Sequence, residues 1–144
     1  MKDERPSREA EGMNGPLIDR PDRCFQVWGY SVSLARLLLR STKSVFPDET
    51  VTTRIDVLFQ DVDAMFLPKT LMQGLVVTVA DREAMERIID ETGILPDGST
   101  KFFDIECGGR RGFVIAGVVV ETEDQREFDE PSEYWPHAFG RPGV

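Results

Sequence analysis

The chain has 144 residues, of which 40% are hydrophobic and 30% charged, and a formal net charge of −9. That length suits one domain around one core, and its longest apolar runs, GLVVTVA and FVIAGVVV, fall short of the roughly 20 residues that span a bilayer, so no membrane segment is expected. Nucleic acid is not expected as a partner either, because affinity for a phosphate backbone comes largely from Lys and Arg displacing counterions.

Residues 1–22 lack periodicity and hold Pro6, Gly12, Gly15, Pro16 and Pro21, which predicts a disordered arm. The opening MKDERPSREAEG mixes acids and bases without an apolar stretch, unlike a secretion signal or a transit peptide, and points to a cytoplasmic protein. A single β-rich domain is then expected over 23–125. Its first strand runs from Cys24 to Tyr30 and its second from Ala35 to Arg40, both rich in apolar and aromatic residues. VTTRIDVLF alternates, with Ile55, Val57 and Phe59 on one face and Arg54, Asp56, Leu58 and Gln60 on the other, and gives strand three. DVDAMFLP is strand four and stops at Pro68, which has no N–H to extend a ladder.

GLVVTV gives a fifth strand, apolar enough to be buried on both faces. A helix follows, capped by Asp81, with Glu83 in its first turn, an inward stripe of Ala84, Met85, Ile88 and Ile89, and a stop at Gly93. Arg87 is spaced to pair along that helix with Glu83 and Glu91. KFFDIEC and GFVIAGVVVE are strands six and seven of a hairpin turning through GGRRG. From residue 126 an acidic and then aromatic tail is expected to pack on the domain. Seven strands joined mostly by short connections cannot form a doubly wound parallel sheet. They predict an α+β fold, mainly antiparallel, in which one strongly curved seven-stranded sheet closes as a small barrel or a two-layer sandwich with one helix.

DVLFQDVD, residues 56–63, is the densest set of candidate cation ligands, but it has no Gly and its apolar spacing breaks the pattern of a calcium loop. A corner accounts for Asp61 more simply, since Asp favours turns, and Asp56 should face water. Cys24 and Cys107 are not in a C-x-x-C pair and read as buried thiols, with a disulfide open if the sheet places them side by side. GGRRG offers backbone amides beside Arg110 and Arg111, which suits a phosphate or carboxylate, but it lacks the Lys and the following helix of a phosphate loop. The sole histidine, His137, lies in EYWPHAF with Tyr134, Trp135 and Phe139. Its place after two prolines favours an aromatic strap or partner contact over general-base work. Trp28 and Tyr30 are expected on one face of the first strand, as core or as a pocket wall. Asp104 and Glu106 read as solvated strand positions. No catalytic residue, metal site or cofactor is expected.

One stretch bears a family likeness. RIDVLFQDVDAMFLP followed by GLVVTV, within residues 51–79, resembles small bacterial proteins of unassigned function, some of them regarded as immunity proteins against polymorphic toxins. The resemblance implies a cytosolic neutraliser that binds another protein through an acidic face. Glu121, Glu123, Asp124, Glu127, Asp129 and Glu130 would form that face. The alternative is a small-ligand barrel or unusual enzyme with its pocket near Trp28, Tyr30 and Arg110 or Arg111.

Overall fold

The computed structural model describes residues 15–44, 50–68, 70–71 and 74–131. In chain order its elements are β1 (Pro16–Arg20), β2 (Phe25–Ser31), β3 (Arg36–Ser41), β4 (Arg54–Gln60), β5 (Ala64–Phe66), β6 (Thr70–Leu71), β7 (Leu75–Val79), α1 (Arg82–Thr92), β8 (Lys101–Cys107), β9 (Arg110–Ala116) and β10 (Val118–Asp124). They form two five-stranded antiparallel sheets, the first in the order β1-β7-β8-β9-β5 and the second in the order β10-β4-β3-β2-β6. No helix among the described residues is long and apolar enough to cross a membrane.

Glycines set the turning points. Gly108 and Gly109 both have positive φ, 55° and 86°, as a two-residue type I′ turn requires, and this fixes Cys107 opposite Arg110 in the β8–β9 hairpin. Gly117 marks a corner. Its N–H donates to the Gln60 carbonyl at 2.8 Å, and a Cβ on it would stand 3.0 Å from the Asp61 carboxylate, itself held at φ 58°. Here a two-stranded ribbon passes from one sheet to the other, because β4 pairs with β10 in the second sheet while β5 pairs with β9 in the first. Asp61 is thus a corner residue, as its sequence context predicts, but the chain does not turn back there as a hairpin, since β4 and β5 pair in different sheets.

The two sheets face each other across one apolar core. Leu37, Leu39, Ile55, Val57 and Phe59 of the second sheet meet Leu75, Val77, Phe103, Ile105 and Val114 of the first, and Phe59 and Phe103 pack edge to face with centroids 5.6 Å apart. Fully burying a side chain of this kind contributes about 1.5–3 kcal/mol, so this layer dominates stability. α1 packs on the outer face of the first sheet, with Ala84 and Ile88 against Phe102, Phe113 and Ile115. Its signals work as expected: Asp81 accepts from the Ala84 N–H at 2.8 Å, and Gly93 closes the helix at φ 74°.

Four expectations need correction. The single seven-stranded sheet is replaced by two sheets that do not close into one barrel, since Gly117 divides GFVIAGVVVE between them and two strands escape the sequence pattern. One of these, β1, lies inside the expected arm; PLIDR becomes ordered by pairing with β7. The other, β6, is only two residues long. A register shift between Val27 and Gly29 breaks the alternation of β2, so Tyr30 packs with Val27 against the central core while Trp28 lies with Leu38 and Leu58 on the opposite face. Cys107 is buried as expected, but Cys24 is exposed and the two form no disulfide.

Candidate functional site

The outer face of the first sheet is only half covered. Alternation places Phe102, Asp104 and Glu106 of β8 and Arg111, Phe113 and Ile115 of β9 on this side, and α1 takes the apolar half. The uncovered half is charged. Arg87, expected to pair along α1, reaches across instead and donates from Nη2 to Asp104 Oδ1 at 3.2 Å. Arg111 Nη1 approaches Asp104 Oδ2 at 3.5 Å. Asp104 is therefore no solvated strand position: its side chain is 15% exposed, whereas those of Arg87 and Arg111 are 41% and 52% exposed. Half-exposed pairs of this kind contribute about 0–1 kcal/mol, so either guanidinium can change partner at little cost.

Arg111 stands between two depressions. One, of about 490 Å³, is lined by Val76, Thr78, Val79, Asp81, Asp104, Glu106 and Arg111. The other is a cleft of about 270 Å³ between α1 and the end of the sheet, lined by Phe66, Arg87, Glu91, Arg111, Gly112 and Phe113. Its aromatic wall is a stacked pair, Phe66 on Phe113, with centroids 6.2 Å apart. Gly112 keeps that wall in place, because a Cβ there would run into the Phe66 carbonyl oxygen. Phe66 belongs to β5, the last strand of its sheet, where Met65 and Phe66 are 38% and 61% exposed.

A second cluster lies on the outer face of the second sheet. Asp56, expected to face water, is 3% exposed. It accepts from Arg40 Nε at 2.8 Å and from Arg54 Nη2 at 3.3 Å, and the Arg40 guanidinium lies 4.9 Å from the Trp28 ring centroid. Two buried cations thus share one carboxylate. The surplus charge is met by main-chain carbonyls of residues 127–131: Arg40 donates to Phe128 O at 2.8 Å, and Arg54 to Glu127 O at 2.6 Å and Glu130 O at 2.7 Å. Arg54 Nε is buried with no hydrogen-bond partner, and burial pulls the Arg54 pKa below the usual arginine value, with neighbouring Asp56 opposing that shift. The parity of RIDVLF placed Arg54 and Asp56 on one face correctly; the cover over that face carries no signal in the strand itself.

Most of the acids expected to face a partner are engaged within the chain. Arg20 at the end of β1 holds Glu121 Oε2 at 2.7 Å and Glu123 Oε1 at 3.0 Å on β10, joining the two sheet edges, and its pKa is raised, first by the Glu121 hydrogen bond. Thr53 donates to Glu123 at 2.7 Å, and that bond, ahead of the Arg20 charge, holds the Glu123 carboxyl below its usual value. Lys43 reaches Glu127 at 2.8 Å, and Asp124 lies 3.7 Å from Arg126.

Among the residues singled out in the sequence, Trp28 and Arg111 lie on opposite outer faces, and Tyr30 packs on the core between them, so no common pocket forms from these three. Arg110 and Arg111 are both exposed, but by strand alternation they point to opposite sides of β9, and only Arg111 lines the depressions. Tyr134, Trp135 and His137 lie outside the described residues. No group of three or more His, Cys, Asp or Glu able to hold a metal ion occurs among the described residues. No protein-family model, curated protein or solved structure matches the chain.

Proposed function

We propose that this protein is a non-catalytic binding module that acts by covering a surface of another protein, in the manner of an immunity protein. The observation that carries the proposal is the β5 end of the first sheet, where no further strand pairs among the described residues. Natural edge strands are kept short, charged or covered because their unsatisfied backbone groups recruit other chains. β5 is short, yet it presents Met65 and Phe66 to solvent beside two half-exposed guanidiniums. An apolar edge bordered by charge is the setting in which a partner adds a strand or docks an aromatic anchor. The acidic residues of β10 are engaged with Arg20, which favours β5 over them as the docking face.

A photo-cross-linking residue placed at position 66 in the protein's own cells tests this. One discrete protein adduct is expected from position 66 and none from position 17, where Leu17 is also exposed but lies on β1, at the opposite end of the first sheet. Equal labelling at both positions, or none at either, would overturn the proposal. The second reading, a small-ligand site, is favoured by the two depressions that meet at Arg111; native mass spectrometry of the purified protein would then show a stoichiometric small molecule.

A further inference from the structure

We infer that the cleft between α1 and β5 is a carboxylate subsite, and that its occupant is a segment of a partner protein carrying a carboxylate next to an apolar side chain. The inference rests on the binding-module proposal and names the chemistry of the partner. The cleft lining carries two guanidiniums, Arg87 and Arg111, against one acid, Glu91, and Asp104 behind it balances the four charges, so what the cleft offers an anion is directed N–H donors rather than a net positive charge. Behind the lining, Asp104 engages one terminal nitrogen of each guanidinium, and a guanidinium has five N–H donors. Both arginines therefore retain donors for a second carboxylate, and the planar fork of Arg matches carboxylate geometry better than a point charge does. Both are also well exposed, so an incoming anion need not displace a buried partner.

The other wall selects what must accompany the anion. Phe66 and Phe113 stack with an interplanar angle of 29°, which leaves Phe66, at 61% exposure, as an aromatic surface for an aliphatic or aromatic side chain. β5 is the sheet's last strand among the described residues, so an extended segment has backbone to pair with at the same place. A chain terminus of the form apolar residue plus free carboxylate meets all three features at once. An isolated small acid meets only the guanidiniums and the ring.

The test uses the intact protein and two synthetic peptides with the same apolar sequence ending in Leu-Phe, one with a free C-terminal carboxylate and one amidated, with free phenylacetate as a third probe. Fluorescence anisotropy at low salt should show the acid peptide binding at least tenfold more tightly than the amide, and the preference should shrink as salt screens the charges. Arg111→Gln should abolish the preference and Arg110→Gln should leave it intact; circular dichroism of each variant checks that it remains folded. Equal binding of acid and amide, or a preference that survives Arg111→Gln, would overturn the subsite. Phenylacetate binding as tightly as the acid peptide would overturn the choice of a protein segment. A position-66 adduct together with equal peptide affinities would remove the carboxylate chemistry and leave the binding module standing.

Discussion

The buried guanidiniums of Arg40 and Arg54 are the most demanding side chains among the described residues, because each has lost its water and both pair with the one buried carboxylate of Asp56. Removing one partner of such a set leaves an uncompensated buried charge, typically at a cost of about 3–5 kcal/mol. Asp56→Asn keeps the volume and removes the charge, so urea unfolding should show a loss of that order. Glu123 makes a smaller contribution with a definite sign. Its folded pKa is depressed, so its stabilisation is fully present above the ordinary glutamate value of about 4.3 and disappears as pH falls through the lower folded value. The melting-temperature gap between the wild-type protein and Glu123→Gln should therefore be widest near neutrality and close in that acid window. The sequence misplaced Asp56 because a carboxylate alternating with apolar residues reads as solvated. What hides it is a segment about 70 residues further along.

At the scale of elements, legibility followed how local each signal was. The Asp81 cap, the Ala84 and Ile88 stripe, the Gly93 stop and the Gly108–Gly109 turn act within a few residues, and each works as its chemistry dictates. The bulge beside Trp28 and the corner at Gly117 answer to neighbouring strands. An isolated Gly inside an apolar run was the available hint for the corner. PLIDR becomes a strand only because β7 offers it an edge. The candidate cleft shows the same division: the GGRRG arginines stood out in the sequence, whereas Phe66, Arg87 and Phe113 come to Arg111 only through the fold. Gly112 is the element-scale test of that cleft. Gly112→Ala would push the Phe66 carbonyl away and should cost about 1–3 kcal/mol as overpacking does, with faster hydrogen exchange in β5 and unchanged protection in α1.

The whole molecule is layered: α1, the first sheet, the shared core, the second sheet, and the main chain of residues 127–131 across its outer face. Those last residues are held by their carbonyls, so their side-chain identities matter less than their presence. Ending the chain after Asp124 should lower stability by at least ~2 kcal/mol, since hydrogen bonds to charged groups contribute about 1.5–3 kcal/mol each; replacing Phe128, which is 54% exposed, with Ser should change it by less than ~0.5 kcal/mol. Chemical denaturation of the two variants beside the wild-type protein checks both.

The Arg20–Glu121 pair bridges 101 positions of chain. A ribosome must therefore release almost the whole described region before the margins of the two sheets can meet. Until then the growing polypeptide carries both of these margins, β1 and β10, open, and closing so large a loop is intrinsically slow. The nascent protein thus exposes both strand edges until β10 has emerged, and the ionic clasp between β1 and β10 is what brings them together.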